Sequence, residues 1–257
     1  ADPNASTIWY NDSSHTYVAW AWDAGSSTVS NTDGSISSSV RANPTAGFSI
    51  LTYTGTGSAG TVGHGLNAAP EMIILKGRNF SDNWRVYHKY LDSTEPEDYY
   101  LMLESTAARS ADQNASFMND TAPTSSVFSL GTDSAINGSS RTMVAYCFAP
   151  VEGYSAFGSY TGNGSSSDGP FVFTGMRPAF LLVKSSDLSQ PWYILDIARN
   201  KSISVTNFLT PSSSDAEGRA SPPDYLNFLS SGFNVTNTSL AFNGSGNTCI
   251  YAAFASI

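Results

Sequence analysis

The chain states one pattern twice. Gly47 to Ser58 (GFSILTYTGTGS) returns at Gly153 to Ser165 (GYSAFGSYTGNGS), and Ala68 to Arg78 (AAPEMIILKGR) returns at Met176 to Ser186 (MRPAFLLVKSS). Asn83 to His88 (NWRVYH) returns as Pro191 to Asp196 (PWYILD), and Ala135 to Ala149 (AINGSSRTMVAYCFA) as Ala241 to Ala255 (AFNGSGNTCIYAAFA). Order is kept and the offset stays between 106 and 108 residues. The recurring positions are framework: Pro70 with Pro178, Lys76 with Lys184, Trp84 with Trp192, and the turn Asn137-Gly138-Ser139 with Asn243-Gly244-Ser245. Titratable groups mostly do not recur. His64 falls opposite Val172, and His88 opposite Asp196. A duplicated active site would keep its acids and bases in a recognisable constellation, so this pattern suits an assembling, non-enzymatic protein.

The periodicity is that of strands. Segments such as ILTYT, EMIILK, WRVYH, TMVAYCF, FLLVK, WYILD and CIYAAF are short, rich in aromatic and branched residues, and mostly bounded by Gly, Ser, Asn or Pro. Glu97 to Asp112 has room for a turn or two of helix, and no long capped amphipathic helix is visible. The expected fold is all-β: two tandem homologous antiparallel β-sandwich-like units, residues 47–150 and 151–257, preceded by an N-terminal strand and linker segment, residues 1–46. Whether the two units pack together is not legible at this level.

The N-terminal segment carries a third copy of one element. YVAWAWDAG (Tyr17 to Gly25) matches the terminal strand of each repeat, with Val18 opposite Val144 and Ile250, and Trp22 opposite Phe148 and Phe254. Three such strands for two bodies leave one orphan. An unpaired strand is a template for pairing with another chain, so Tyr17, Val18, Trp20 and Trp22 are the candidate assembly interface. Trp20 and Trp22 have the same parity and share a face. The polar stretch Ser26 to Ala46 is expected to run extended along the body.

Charge excludes some partners. Lys and Arg number 12 against 21 Asp and Glu, a formal net of −9. Nucleic acid needs a basic stripe to displace counterions, and anionic membrane surfaces ask for the same. No apolar run reaches the roughly 18 residues of a membrane helix, so membrane insertion is not expected. The polar first residues ADPNAST contain no signal peptide, and a start at Ala reads as a processed, trimmed or incomplete chain.

Chemistry-bearing motifs are weak. GTGSAG (Gly55 to Gly60) fits the dinucleotide glycine pattern, but no helix start follows and the second repeat loses the third glycine, so a hairpin turn is expected. His64 reads as an exposed loop histidine. No metal-ligand spacing joins it to His15 or His88, and the acidic stretch Ser93 to Asp98 lacks calcium-loop spacing. No catalytic residue, cofactor or metal site is expected. Cys147 and Cys249 are expected as buried free thiols. Asn-x-Ser/Thr sequons include Asn4, Asn11, Asn137, Asn163 and Asn243, candidate glycosylation positions in a host that has the machinery.

Long phrases, among them GFSILTYTGTGSAGTVGHGLNAAPEMIILKGR, NDTAPTSSVFSLGT and NFLSSGFNVTNTS, resemble a domain found in tail-fibre and other virion-associated proteins of marine and freshwater bacteriophages. The resemblance runs from about Tyr17 to the C-terminus. It implies a structural all-β component on a particle or fibre, located extracellularly or on the virion surface. Its partners would be copies of itself in a homo-oligomer or helical polymer, and host-surface glycans. A carbohydrate-binding recognition module is the second expectation. A glycan depolymerase is the third, and it would need paired carboxylates that Asp92, Glu95, Asp196 and Asp215 do not supply in sequence.

Overall fold

The computed structural model describes residues 15–112, 114–200, 203–219 and 226–256. The first part contains β1 (Val29–Asn31), β2 (Ser38–Asn43), β3 (Phe48–Thr54), β4 (Gly60–Gly63), β5 (Met72–Gly77), β6 (Arg85–His88), β7 (Tyr99–Met102), β8 (Ser110–Ala111), β9 (Val127–Leu130), the single-turn helix α1 (Ser134–Asn137) and β10 (Thr142–Phe148). The second contains β11 (Ser155–Thr161), β12 (Phe171–Phe173), β13 (Phe180–Ser185), β14 (Tyr193–Asp196), β15 (Ser204–Val205), β16 (Asn207–Phe208), β17 (Gly218–Arg219), β18 (Leu226–Leu229), β19 (Gly232–Val235), α2 (Leu240–Asn243) and β20 (Thr248–Phe254). The fold is all-β, as expected. Glu97 to Asp112 holds only the end of a 3₁₀ turn (Pro96–Asp98) before β7 and β8, because the alternation of Tyr99 to Met102 suits a strand.

Each repeat is built on one central antiparallel sheet. In the first its order is β1-β2-β3-β10-β5-β6-β7-β8, and in the second β11-β20-β13-β14. Each carries a further sheet, the two-stranded β4-β9 in the first and the four-stranded β12-β19-β18-β15 in the second. Side-chain parity then decides the packing. In β5, Ile73 and Leu75 enter the core of the first repeat, while Met72 and Ile74 point the other way. In β20, Cys249, Tyr251 and Ala253 enter the core of the second, while Ile250, Ala252 and Phe254 face out of it. The two outward faces meet and form a third core between the repeats. The continuous apolar runs MIIL and FLLV record this burial on both faces.

Part of the N-terminal segment, β1 and β2, is built into the first repeat. β2 pairs along β3 from Ser38↔Tyr53 to Asn43↔Phe48 and belongs to the first central sheet. Upstream, Ile36 bridges Val62 of β4, with Ile36 N–H donating to Thr61 O at 2.9 Å. Residues 15–27 form no strand, contrary to the reading of YVAWAW as one.

The recurring Asn-Gly-Ser turn is a duplicated clamp. Asn137 is buried; its Oδ1 accepts from Thr56 N–H at 3.0 Å and its Nδ2 donates to Ser58 O and Gly131 O, both at 2.7 Å. Asn243 repeats this with Asn163 N–H at 2.8 Å, Ser165 O at 2.8 Å and Asn237 O at 2.7 Å. Each clamp ties the β3–β4 or β11–β12 loop to the short helix, and GTGSAG is not the expected hairpin turn but a connection between two sheets, since β3 pairs with β2 and β10 and β4 with β9, with Gly57 at positive φ. This use of both amides removes Asn137 and Asn243 as glycan acceptors in the folded chain. Asn163 is exposed, and Asn4 and Asn11 lie outside the described residues.

Loss of a clamp removes three side-chain-to-backbone bonds at once, one buried and two part-buried. Asn137→Ala and Asn243→Ala should each lower unfolding free energy by about 3 kcal/mol, read from urea melts, against below about 0.5 kcal/mol for Arg177→Ala, an exposed control. Equal effects in the three variants would contradict the clamp.

Candidate functional site

The interface between the repeats is aromatic at one end. Phe148 and Phe254, equivalent residues ending β10 and β20, lie 5.9 Å apart between ring centroids. Phe48 packs on Phe148 at 4.9 Å, and Phe180 on Phe254 at 5.9 Å. Trp22 completes the cluster, edge-on to Phe148 at 5.9 Å, to Phe254 at 5.4 Å and to Phe180 at 5.4 Å. Thus the three residues that correspond in the three strand copies meet in one place. The orphan copy has lost its strand pairing and kept its aromatic contact.

Tyr17 to Trp22, expected as a strand open to a neighbour, is not a strand. Trp20 and Trp22 do share a direction, but it is toward their own chain, because four Phe rings from both repeats are there to bury them. Trp20 packs edge-on against Phe180 at 5.5 Å and beneath the Arg199 guanidinium at 5.7 Å. Val18 is half-buried and Tyr17 is exposed. Asp23 pins the segment, accepting from Gly25 N–H at 2.7 Å and from Asn43 Nδ2 at 3.0 Å. Arg41 adds a bond to Ser26 O at 2.7 Å.

Beside the cluster, and lined in part by its rings, an open cavity of about 760 Å³ lies between the two repeats. Its walls include Trp84, Tyr146 and Ile74 from the first repeat, Leu182 and Ala252 from the second, and Trp20 from the N-terminal segment. Trp84 stacks with Tyr146 at 6.4 Å. The repeated tryptophan position therefore divides in role. Trp192 is buried and its Nε1 donates across the repeats to Met102 O at 2.9 Å, whereas Trp84 is half-buried and lines the cavity. Trp20 Nε1 is buried and has no hydrogen-bond partner among the described residues.

The histidines are structural. His88 Nδ1 accepts from Tyr90 N–H at 3.2 Å, which leaves Nε2 to donate to Tyr251 O of the other repeat at 3.0 Å. Burial pushes its pKa down to about 4, against the bond to Tyr251. His64 is not an exposed loop residue: it is fully buried, Nδ1 accepts from Leu66 N–H at 3.2 Å and Nε2 donates to Thr124 O at 3.1 Å. Burial lowers its pKa too. Strand register pairs Val62 with Phe128 and Val172 with Phe233, so Val62 is the counterpart of Val172 and His64 that of Thr174. The sequence alignment was two residues out at this point.

Other polar groups are mostly spent on packing. Lys184 is buried and donates to Leu188 O at 3.0 Å, with burial pushing its pKa down to about 8. Lys76, its counterpart, bonds Asp82 O. Asp196 pairs with Arg199 at 2.7 Å and Asp92 with Arg109 at 3.2 Å. Asp98 is raised to about 6 by burial and by Asp120, Glu95 and Glu97, and only Asp120 comes from outside the acidic stretch Ser93 to Asp98. Among the described residues no three His, Cys, Asp or Glu side chains group to hold a metal ion. Cys147 and Cys249 are buried free thiols, raised by burial to about 12 and about 11.

A protein-family profile described as Domain of unknown function (DUF7483) matches residues 3–256. The chain belongs to this family. One profile thus spans both repeats and most of the N-terminal segment, in keeping with the single interlocked architecture of this DUF7483 domain. Comparisons with curated proteins and with solved structures find no match. Among the described residues no helix is long and apolar enough to cross a membrane.

Two outcomes follow for the interface. Trp22→Ala should cost about 3 kcal/mol of stability, as for other large aromatic truncations, whereas Tyr17→Ala should stay within about 0.5 kcal/mol; chemical denaturation compares them. Second, an unfolded histidine titrates near 6.5 and His88 near 4 when folded. The fold favours its neutral form, so this contribution is complete above pH 6.5 and is lost as pH falls through 4, up to about 3 kcal/mol. His88→Gln should flatten the pH dependence of stability over that window, and parallel wild-type and variant profiles would refute it.

Proposed function

We propose that this chain is a structural, self-assembling subunit of an extracellular fibre, of the phage tail-fibre kind, which also contacts host surfaces. The resemblance of its long phrases to phage virion domains supports this. The observation that carries it is an asymmetry between the repeats. In the first, β3 and β4 are covered by the chain's own residues: β2 lies along β3, and Ile36 and Ser35 bond Thr61. In the second, the counterparts β11 and β12 end their sheets among the described residues. β12 also presents Phe171 and Phe173, 52% and 69% exposed, where β4 has Thr61 and Gly63. An edge strand with exposed aromatic rings is a template for addition of another chain.

The same two rings favour one alternative, a carbohydrate-recognition module. Residues two apart on a strand share a face about 7 Å apart, and exposed rings of that kind stack on sugars. Light scattering and electron microscopy of wild type and the Phe171→Asp/Phe173→Asp double variant separate the readings. Assembly in wild type and single chains in the double variant are expected. Undiminished assembly in the variant would overturn the edge interface. A monomeric wild type with saturable glycan binding, lost in the variant, would replace the fibre reading with the recognition module.

A further inference from the structure

We propose that β1 of one copy adds antiparallel to β11 of the next, so that one β-sheet runs head-to-tail from chain to chain. This rests on the fibre reading and names the strand that the open edge of the second repeat receives.

Backbone direction is the first argument. In an antiparallel pair alternate residues bond the partner strand, and the residues between them turn their N–H and C=O the other way. Ala255 N–H donates to Tyr154 O at 2.8 Å and Gly162 N–H to Asn247 O at 2.9 Å. With the β11–β20 register this turns Ala156, Gly158 and Tyr160 toward β20, and Phe157, Ser159 and Thr161 toward the free edge. In the first repeat the equivalent groups, those of Ile50 and Thr52, are opposite Arg41 and Ser39 of β2. Among the described residues no strand and no loop backbone takes them in β11. The same alternation, started from Ala149 N–H donating to Gly47 O and followed through β3 and β2, bonds Val29 and Asn31 to β2 and turns Ser30 outward. Pairing carried one residue beyond each end of β1 adds Thr28 and Thr32 to that row.

Elimination selects the two strands. The central sheets have four outer strands, β1, β8, β11 and β14. β14 is bridged at Ile194 by Leu209. β8 has two residues, set between Arg109 and Asp112, and charge on an edge deters addition. β1 and β11 contain no charged residue and no proline. They are the two edges left both uncovered and unguarded.

Side-chain faces fix the register. With Ser30 opposite Ser159, Val29 lies beside Tyr160 and Asn31 beside Gly158. Val29 is 57% exposed and sits on the face of β1 that continues the first core through its partner Val40, while Tyr160 belongs to the second core. Ser30 and Ser159 then share the opposite face. A slip of one residue would set Val29 among polar side chains. In the first repeat Ile36, two residues before β2, donates to Thr61 of β4. The residues before an incoming β1 approach β12 from the same side, where Phe171 and Phe173 stand exposed. A contact between two different strands is heterologous: each addition leaves one β1 and one β11 open, so growth repeats. Pairing of β11 with itself would stop at two chains.

Proline tests this, because at an outward position it removes an edge donor and no bond inside the chain. Wild type at about 100 μM should form multimers in analytical ultracentrifugation. Ser30→Pro and Ser159→Pro should each stay single chains, with near-ultraviolet circular dichroism confirming the fold. Their equimolar mixture should stop at pairs, since one intact β1 meets one intact β11. A crosslink serves where a proline variant does not fold. Residues opposite in such a pair have Cα atoms about 5.5 Å apart, so a short bismaleimide should join position 30 to position 159 in a mixture of Ser30→Cys and Ser159→Cys, and give no product with either alone. The native thiols are buried. Unimpaired multimers from either proline variant, no mixed crosslink, or a link of position 159 to itself would overturn the β1–β11 pairing and leave the fibre reading standing. Single chains from wild type would overturn both.

Discussion

A β-sheet that is apolar on one face needs a single covering layer, whereas one that is apolar on both faces needs two. The central sheets here are of the second kind. Ile73 and Leu75 bury against β4 and β9, and Met72 and Ile74 on the same strand have to be covered from the other side. The second repeat has the same surplus in Leu182, Ala252 and Phe254. Each repeat is therefore the missing layer of the other, and two separated lobes would each expose an apolar sheet. Trp192 bonding Met102 and His88 bonding Tyr251 then add direction to a contact that burial alone would leave free to slide. The N-terminal segment is placed by the same requirement, since Trp22 covers ring edges that neither repeat reaches.

Duplication explains which features are shared and where the copies were free to diverge. The Asn137 and Asn243 clamps are alike bond for bond because a loop and a helix end depend on each. Core volumes diverged by compensation. Ala145 faces Leu51 across the strands of the first repeat, and at the corresponding pair Tyr251 faces Gly158. A Cβ on Gly158 would come within 2.6 Å of the Tyr251 hydroxyl oxygen, so the large ring and the missing side chain are one change. At the edges the divergence is not compensated. Gly63 lies where a Cβ would strike Asn31, which lets residues 31–38 cross β4, and the counterpart of Gly63 is Phe173. The second repeat cannot accept the same crossing segment in the same seat.

Much of the fold was legible in the residues. Alternation and turn chemistry marked the strands, and the internal repeat marked the two bodies, because both are local or nearly local signals. MIIL and FLLV carried the double burial as well, as runs without a polar face, but a run of four cannot say what covers it. The misreadings have a common cause. YVAWAW has the pattern of a strand, and it lost its ladder because tertiary burial of Trp22 against four phenylalanines outweighed pairing. His64 sits between two glycines in a polar stretch, and only the distant carbonyl of Thr124 makes it a buried clamp. The cavity was invisible because its walls come from three stretches of chain that sequence order keeps far apart.

Where the repeats agree they specify architecture, and where they differ they offer chemistry. The agreeing positions, Trp84 with Trp192 and Lys76 with Lys184, would have made a symmetric interface had their surroundings also agreed. They do not: Trp192 is sealed against Met102, while Trp84 stands half-buried at the cavity. The opening therefore lies on the first repeat's side of a pseudo-symmetric contact. It is bounded by the N-terminal segment, for which the second repeat has no counterpart, because only the short turn between β10 and β11 precedes it. An asymmetric segment added to a symmetric pair of layers makes the contact between them unequal on its two sides. That geometry places the distinctive surface of this chain beside Trp20, and not within either repeat alone.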